Sequence, residues 1–150
     1  LIIDLADEAA TAALGARLAA AAGPRDVLLL HGDLGMGKTA LARGFVTGAA
    51  PETGEVPSPT FTLVQTYPTG HGTIWHFDLY RLKAPDEIWE LGFEDALVDG
   101  ILLIEWPDRL GGFVPRDRLD LTLSPGAAPD ARQATLVSAG RSTWLDRVRS

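Results

Sequence analysis

The chain contains no cysteine. That excludes disulfides and thiolate metal sites, and it fits a reducing compartment such as the cytoplasm. Asparagine is missing too, so the guanine-reading N-K-x-D pattern cannot occur. No stretch approaches the ~18 consecutive apolar residues of a membrane helix, although 46% of the chain is apolar. The first residues, LIIDLADEAAT, are acidic and show no basic region followed by an apolar core, so no signal peptide is expected. Positive charge is scarce. Thirteen Lys and Arg stand against twenty Asp and Glu, giving a net charge of −7. Such a surface argues against tight, direct nucleic-acid binding over the whole molecule. Lysine is rarer still, with two residues, one of them Lys38. The length of 150 residues corresponds to one ordinary domain with a real core.

What is present centres on residues 27–45, VLLLHGDLGMGKTALARGF. Val27 to Leu30 read as a short buried strand, and Ala40, Leu41, Ala42 and Phe45 continue at helical spacing. Between them stands G-x-x-x-x-G-K-[ST], in the strand-to-helix setting that a phosphate-binding loop requires. Gly32, Gly35 and Gly37 allow positive φ and close approach to a ligand. Backbone N–H groups and the helix N-terminus then face an anion. The candidate nucleotide contacts are Asp33, Leu34, Gly35, Met36, Gly37, Lys38, Thr39 and Ala40. Lys38 is expected to reach the β- and γ-phosphates, and the Thr39 hydroxyl to bind Mg²⁺. Without an N-K-x-D motif, the expected nucleotide is ATP rather than GTP.

Asp4 is placed to cap a helix from about Ala6 to Ala22, with Ala9, Ala13, Leu14, Leu18 and Ala21 on one face. The phosphate-loop helix should span about Lys38 to Gly48, followed by a loop to Pro57. Ser58 and Thr60 lie where nucleotide-hydrolysing proteins often place a mobile segment that senses the γ-phosphate. A turn held by local hydroxyl–backbone bonds accounts for the same residues. A strand over Leu63–Tyr67 follows, then a second over Thr73–Asp78 that ends in an acid. An apolar strand with a terminal Asp matches the Walker B arrangement, where the carboxylate holds Mg²⁺ through its water shell. His76 reads as structural, and neither His31 nor His71 as catalytic. Pro85 or Asp86 starts a helix that Gly92 stops. Gly100–Glu105 is a third strand, apolar throughout, as burial on both faces requires. Glu105 could bind the metal, orient the attacking water, or serve as a cap or salt bridge. Carboxyl ends of parallel strands are where such sheets place ligands. After Pro107, Leu119–Leu123 and, less cleanly, Ala131–Val137 alternate as edge strands, and Arg141–Val148 suggests a closing helix. Arg43, Arg81, Arg109, Arg116 and Arg118 lie near these motifs in sequence, as phosphate contacts or as solvated side chains.

Taken together, GDLGMGKTALARGF, SPTFTLVQTY, HFDLYRL, ELG and LLIEWP, in this order and at these separations, resemble the bacterial TsaE family, formerly called YjeE. The resemblance spans nearly the whole chain and is strongest over Leu28–Pro107. HFDLYRL and IEWP discriminate more than the phosphate loop, which many folds share. The expected fold is one α/β domain, residues 1–150, of the three-layer P-loop NTPase type, with a mainly parallel sheet flanked by helices. The resemblance implies a Mg²⁺-dependent ATPase needed for tRNA threonylcarbamoyladenosine biosynthesis. It implies TsaB and TsaD as partners, a heterodimer that transfers threonylcarbamoyl to tRNA adenosine, with tRNA met only through that pair. By motif, Lys38, Asp78 and Glu105 take catalytic roles and Thr39, Asp78 and Glu105 metal roles. Trp106 neighbours the nucleotide, and Ser58 and Thr60 belong to the mobile loop. Two other uses of the same loop are a small-molecule kinase and a slow, nucleotide-gated binding module. Against the kinase stands the lack of a lid with several arginines.

Overall fold

The computed structural model describes residues 1–51 and 62–149. The elements in chain order are β1 (Ile2–Leu5), α1 (Glu8–Ala20), β2 (Val27–His31), α2 (Lys38–Ala49), β3 (Val64–Thr69), β4 (Gly72–Asp78), α3 (Phe93–Asp99), β5 (Ile101–Glu105), β6 (Arg118–Pro125), β7 (Arg132–Ala139) and α4 (Trp144–Arg149). Short 3-10 segments cover Pro85–Leu91 and Pro107–Phe113.

The strands form one seven-stranded sheet in the order β1-β7-β6-β2-β5-β4-β3. The central strands β6, β2, β5 and β4 are parallel. The β1–β7, β7–β6 and β4–β3 ladders are antiparallel. The sheet is therefore mixed rather than mainly parallel. Gly70-His71 joins β3 to β4, and residues 126–131 join β6 to β7. Connections this short permit only antiparallel neighbours, because a parallel pair needs a long crossover.

Side chains alternate across the sheet and feed two cores. Leu28 and Leu30 pack with Leu14, Leu18, Leu41, Phe45 and Trp144 on the face covered by α1, α2 and α4. Val27 and Leu29 pack with Ile88, Phe93 and Leu110 on the opposite face. Both faces of β2 and β5 are thus covered, which explains their unbroken apolar sequences. Pairing register also sets the level of the strand ends. Leu30 lies opposite Glu105, and Glu105 opposite Asp78. The exit of β2 is level with two carboxylates on neighbouring strands.

Helix α1 begins later than its sequence suggests. Asp7 is the N-cap, its Oδ1 accepting from the Ala10 N–H at 2.9 Å, a contact worth ~1 kcal/mol. Asp4 instead lies in β1, paired opposite Gln133. The buried face is Thr11, Leu14, Gly15, Leu18 and Ala19, while Ala9 and Ala13 are exposed. The shift follows from close packing on α2. A Cβ at Gly15 would run into the Leu41 carbonyl, and one at Gly44 into the Ala12 carbonyl. These glycines let the helices approach backbone to backbone, which sets the height of α2 above the sheet. β6 and β7 prove to be interior strands, and β1 and β3 form the edges. No helix among the described residues is long and apolar enough to cross a membrane.

Candidate functional site

From β2 the backbone turns through Gly32, Gly35 and Gly37, with φ of 143°, 84° and 100°. An L side chain rarely adopts these values, so the glycines are what permit the turn. Gly37 is the N-cap of α2 and supplies no side-chain cap. The first turn of α2 therefore opens into the loop with amides and a dipole end suited to an anion.

Lys38 is the first residue of α2 and is buried, at 6% exposure. Its Nζ donates to the Gly32 carbonyl and stands 3.6 Å from the centroid of the Trp106 ring. Burial pushes the ammonium below its ordinary pKa, opposed in turn by the negative charges of Glu105, Asp78, Asp33 and Asp108. Trp106, the residue after β5, lies in the left-handed region, at φ 58° and ψ 52°. For a residue other than glycine that conformation costs ~1–2 kcal/mol. Here it accompanies an indole that contacts both the Lys38 ammonium and the Tyr80 ring, the two ring centroids 4.9 Å apart.

Two buried carboxylates face this loop. Asp78 closes β4 at 7% exposure and Glu105 closes β5 at 5%. Asp78 Oδ1 accepts from the Tyr80 N–H at 3.2 Å. Glu105 Oε2 lies 2.7 Å from His76 Nε2, with His76 itself buried. An ionised carboxylate only accepts, so the imidazole is the donor in that pair.

A cavity of about 840 Å³ gathers Leu34, Gly35, Gly37, Lys38, Thr39 and Ala40 with Asp78, Glu105 and Trp106. Asp33 and Met36 fall instead on a second cavity of about 410 Å³, which also touches Lys38 and Trp106. Ser58 and Thr60 lie outside the described residues. Of the five arginines singled out by position, Arg43 and Arg81 line the larger cavity. Arg109 lies over the Tyr80 ring at 5.8 Å. Arg118 donates to Asp120 Oδ2 at 3.0 Å, and neither it nor Arg116 belongs to that lining.

Among the described residues no cluster of three His, Asp or Glu forms a ready metal cage. Thr39, Asp78 and Glu105 share the larger cavity as one hydroxyl and two carboxylates. That donor set fits Mg²⁺, which keeps several waters and takes further oxygens from phosphates.

Three residues at or beside the cavity are not marked as site residues by the sequence, although His76 and Tyr80 fall within HFDLYRL. His76 meets Glu105 only because β4 and β5 pair in this register. Tyr80 lines the cavity and packs on Trp106. Arg132, from β7, lines the cavity and donates to the carbonyls of Gly35 and Met36.

The family model described as threonylcarbamoyl adenosine biosynthesis protein TsaE matches residues 5–134. A tRNA threonylcarbamoyladenosine biosynthesis protein TsaE of Rickettsia felis is 49% identical over 104 residues, covering 69% of this chain and 61% of that protein. The chain thus spans less than two thirds of that relative's length. A protein of the same description from Bacillus subtilis is 37% identical over 131 residues, covering 87% of this chain and 80% of its own. The crystal structure of Bacillus subtilis YdiB superposes with a TM-score of 0.75 at 28% identity, covering 99% of this chain and 93% of that one.

Proposed function

Because the chain belongs to the TsaE family, we propose that it binds Mg²⁺–ATP at the Gly32–Thr39 loop and hydrolyses it in support of tRNA threonylcarbamoyladenosine biosynthesis. The fold on this reading is a single P-loop NTPase domain. The observation that carries it is one cavity holding three things together. These are a glycine-shaped loop at a helix N-terminus, a buried lysine, and two carboxylates on adjacent parallel strands.

The transition state for phosphoryl transfer is loose, so catalysis asks mainly for positioning and charge neutralisation. The α2 amides and Lys38 neutralise the β- and γ-phosphate oxygens. Bound Mg²⁺ supplies further charge neutralisation, with Thr39 and Asp78 placed to hold it. Glu105, fixed by His76, orients the attacking water. Trp106 covers Lys38 until phosphate draws the ammonium away.

Family membership directs the reading of partners. The chain acts in the cytoplasm on the TsaB–TsaD heterodimer, leaves threonylcarbamoyl transfer to that pair, and meets tRNA only through it. Alone it hydrolyses ATP slowly, since no arginine is committed by a motif to the γ-phosphate. Unaided nucleotide hydrolysis of this kind runs on the order of 10⁻³ per second or below, and a supplied arginine adds ~10³ to 10⁵. The experiment compares ATP affinity and turnover with and without purified TsaB–TsaD. Tighter binding and faster turnover with the pair support the reading, and linkage requires ATP to tighten the pair's binding equally. Equal values in both conditions refute the coupling.

A further inference from the structure

Arg132 belongs to no motif and lies nearly a hundred residues from the phosphate loop, yet its side chain grips two carbonyls of the loop's backbone. It starts β7 and is half-buried, paired across the β6–β7 hairpin with Pro125. Its Nε donates to the Met36 carbonyl and its Nη2 to the Gly35 carbonyl, both at 3.2 Å. Its Nη1 donates to Pro129 at 2.9 Å and Ala131 at 2.8 Å, within its own hairpin. All four acceptors are neutral carbonyl oxygens. The guanidinium thus bridges two backbones and ties the hairpin to the loop. The same hairpin also abuts the loop at its start, where a Cβ on Gly32 would stand 2.9 Å from the Leu123 carbonyl.

In a trans peptide the C=O and the next N–H point to opposite sides of the chain. Holding the carbonyls of Gly35 and Met36 from one side therefore turns the Met36 N–H to the Asp33 carbonyl, to which it donates at 3.2 Å, and sends the Gly37 N–H to the side away from the guanidinium. Gly35 and Gly37 are both left-handed, and without a tether these glycines sample many conformations. A planar guanidinium reaching two successive carbonyls fixes two successive peptide planes at once. A lysine in its place keeps the charge and loses that fork.

We propose that Arg132 is a positioning residue for nucleotide binding. It pre-sets the Gly35–Gly37 backbone so that the shape of the loop, and with it the Gly37 amide, is already fixed when phosphate arrives. This role rests on the reading of the loop as a nucleotide site. Preorganisation of this kind strengthens binding by removing an ordering cost rather than by adding a contact.

The test uses Arg132→Met and Arg132→Lys, each with three readouts. These are ADP affinity by calorimetry, melting temperature, and amide hydrogen exchange in the nucleotide-free protein. Arg132→Met is expected to bind ADP about tenfold or more weakly, the scale of one charge-assisted hydrogen bond. Its exchange should rise at residues 35–37 and not across the sheet. Arg132→Lys should recover part of the affinity and leave loop exchange fast. Wild-type affinity and exchange in Arg132→Met overturn the proposal. So does full recovery of both by Arg132→Lys, which assigns the effect to charge alone, or a rise in exchange spread evenly over the sheet. If Arg132→Met does not fold, Arg132→Lys carries the same comparison. If the wild-type protein binds no ADP, the nucleotide reading fails, while the exchange comparison still decides whether Arg132 orders the loop.

Discussion

His76 Nε2 and Glu105 Oε2 lie 2.7 Å apart on adjacent parallel strands, with the two side chains 3% and 6% exposed. His76 is two residues before Asp78, so both point to the same face of β4, the face that α2 covers. The histidine thus fixes one carboxylate oxygen of Glu105, a residue that also lines the cavity. His76 Nδ1 has no partner among the described residues, consistent with an imidazole committed to a single hydrogen bond.

Replacing His76 by Leu removes that donor and leaves a buried carboxylate oxygen unpaired, a loss of ~1.5–3 kcal/mol. The expected outcome is a kcat lowered about tenfold or more, with the KM for ATP little changed. His76→Gln, which can still donate, should recover part of the rate. Steady-state kinetics on both variants checks this. A change in KM alone would place His76 in nucleotide binding instead of in holding Glu105.

Trp106 is expected to report the state of Lys38. Its ring stands 3.6 Å from the Lys38 ammonium and packs on Tyr80. Phosphate that draws Lys38 away alters the indole's surroundings, so nucleotide with Mg²⁺ should change the protein's emission. Trp106→Phe should remove most of that change. A signal surviving the substitution must come from Trp75, Trp89 or Trp144, and would place Trp106 outside the nucleotide response.

Burial lowers the Lys38 pKa from its ordinary 10.5. In the window between the lowered value and 10.5 the unfolded chain binds more protons than the folded one, so folding stability rises with pH there. The burial cost is fully present below the folded value and gone above the unfolded one. Bound phosphates favour the charged form, which raises the Lys38 pKa. Nucleotide binding at about pH 9, just below the lysine range, should therefore take up protons. Calorimetry in two buffers of different ionisation heat measures this. Net proton release on binding would contradict it.

The part of the site that lies in contiguous sequence is legible without the structure. The phosphate loop is local, because its glycines, Lys38 and the flanking strand and helix all act within nineteen residues, 27–45. Asp78 and Glu105 are legible because each closes an apolar strand, and the sheet brings those ends level. Whatever depends on pairing register is not. His76 carries no mark of its neighbour Glu105, and Arg132 none of the loop it holds. The alternation in β6 suggests a sheet edge. It records instead that Leu119, Leu121 and Leu123 face the helices while Arg118, Asp120 and Thr122 face a side less fully covered. Half-exposure of one face is compatible with two strand neighbours. β1 is hidden for a related reason. Ile2 to Leu5 are four residues with an acid among them, and Ile2 stays exposed at the edge. Its position depends on β7, more than a hundred residues away.

The most direct measurement is phosphate release from ATP with protein in excess, in the presence of Mg²⁺, for the wild-type chain and Lys38→Ala. Lys38 is the fixed positive charge that the loop motif provides for the β- and γ-phosphates. The wild-type protein should bind ATP and release phosphate in a slow single turnover, and Lys38→Ala should lose binding, hydrolysis or both. Wild-type affinity and rate in Lys38→Ala, or no binding of ATP by the wild-type protein, would contradict a nucleotide site at this loop.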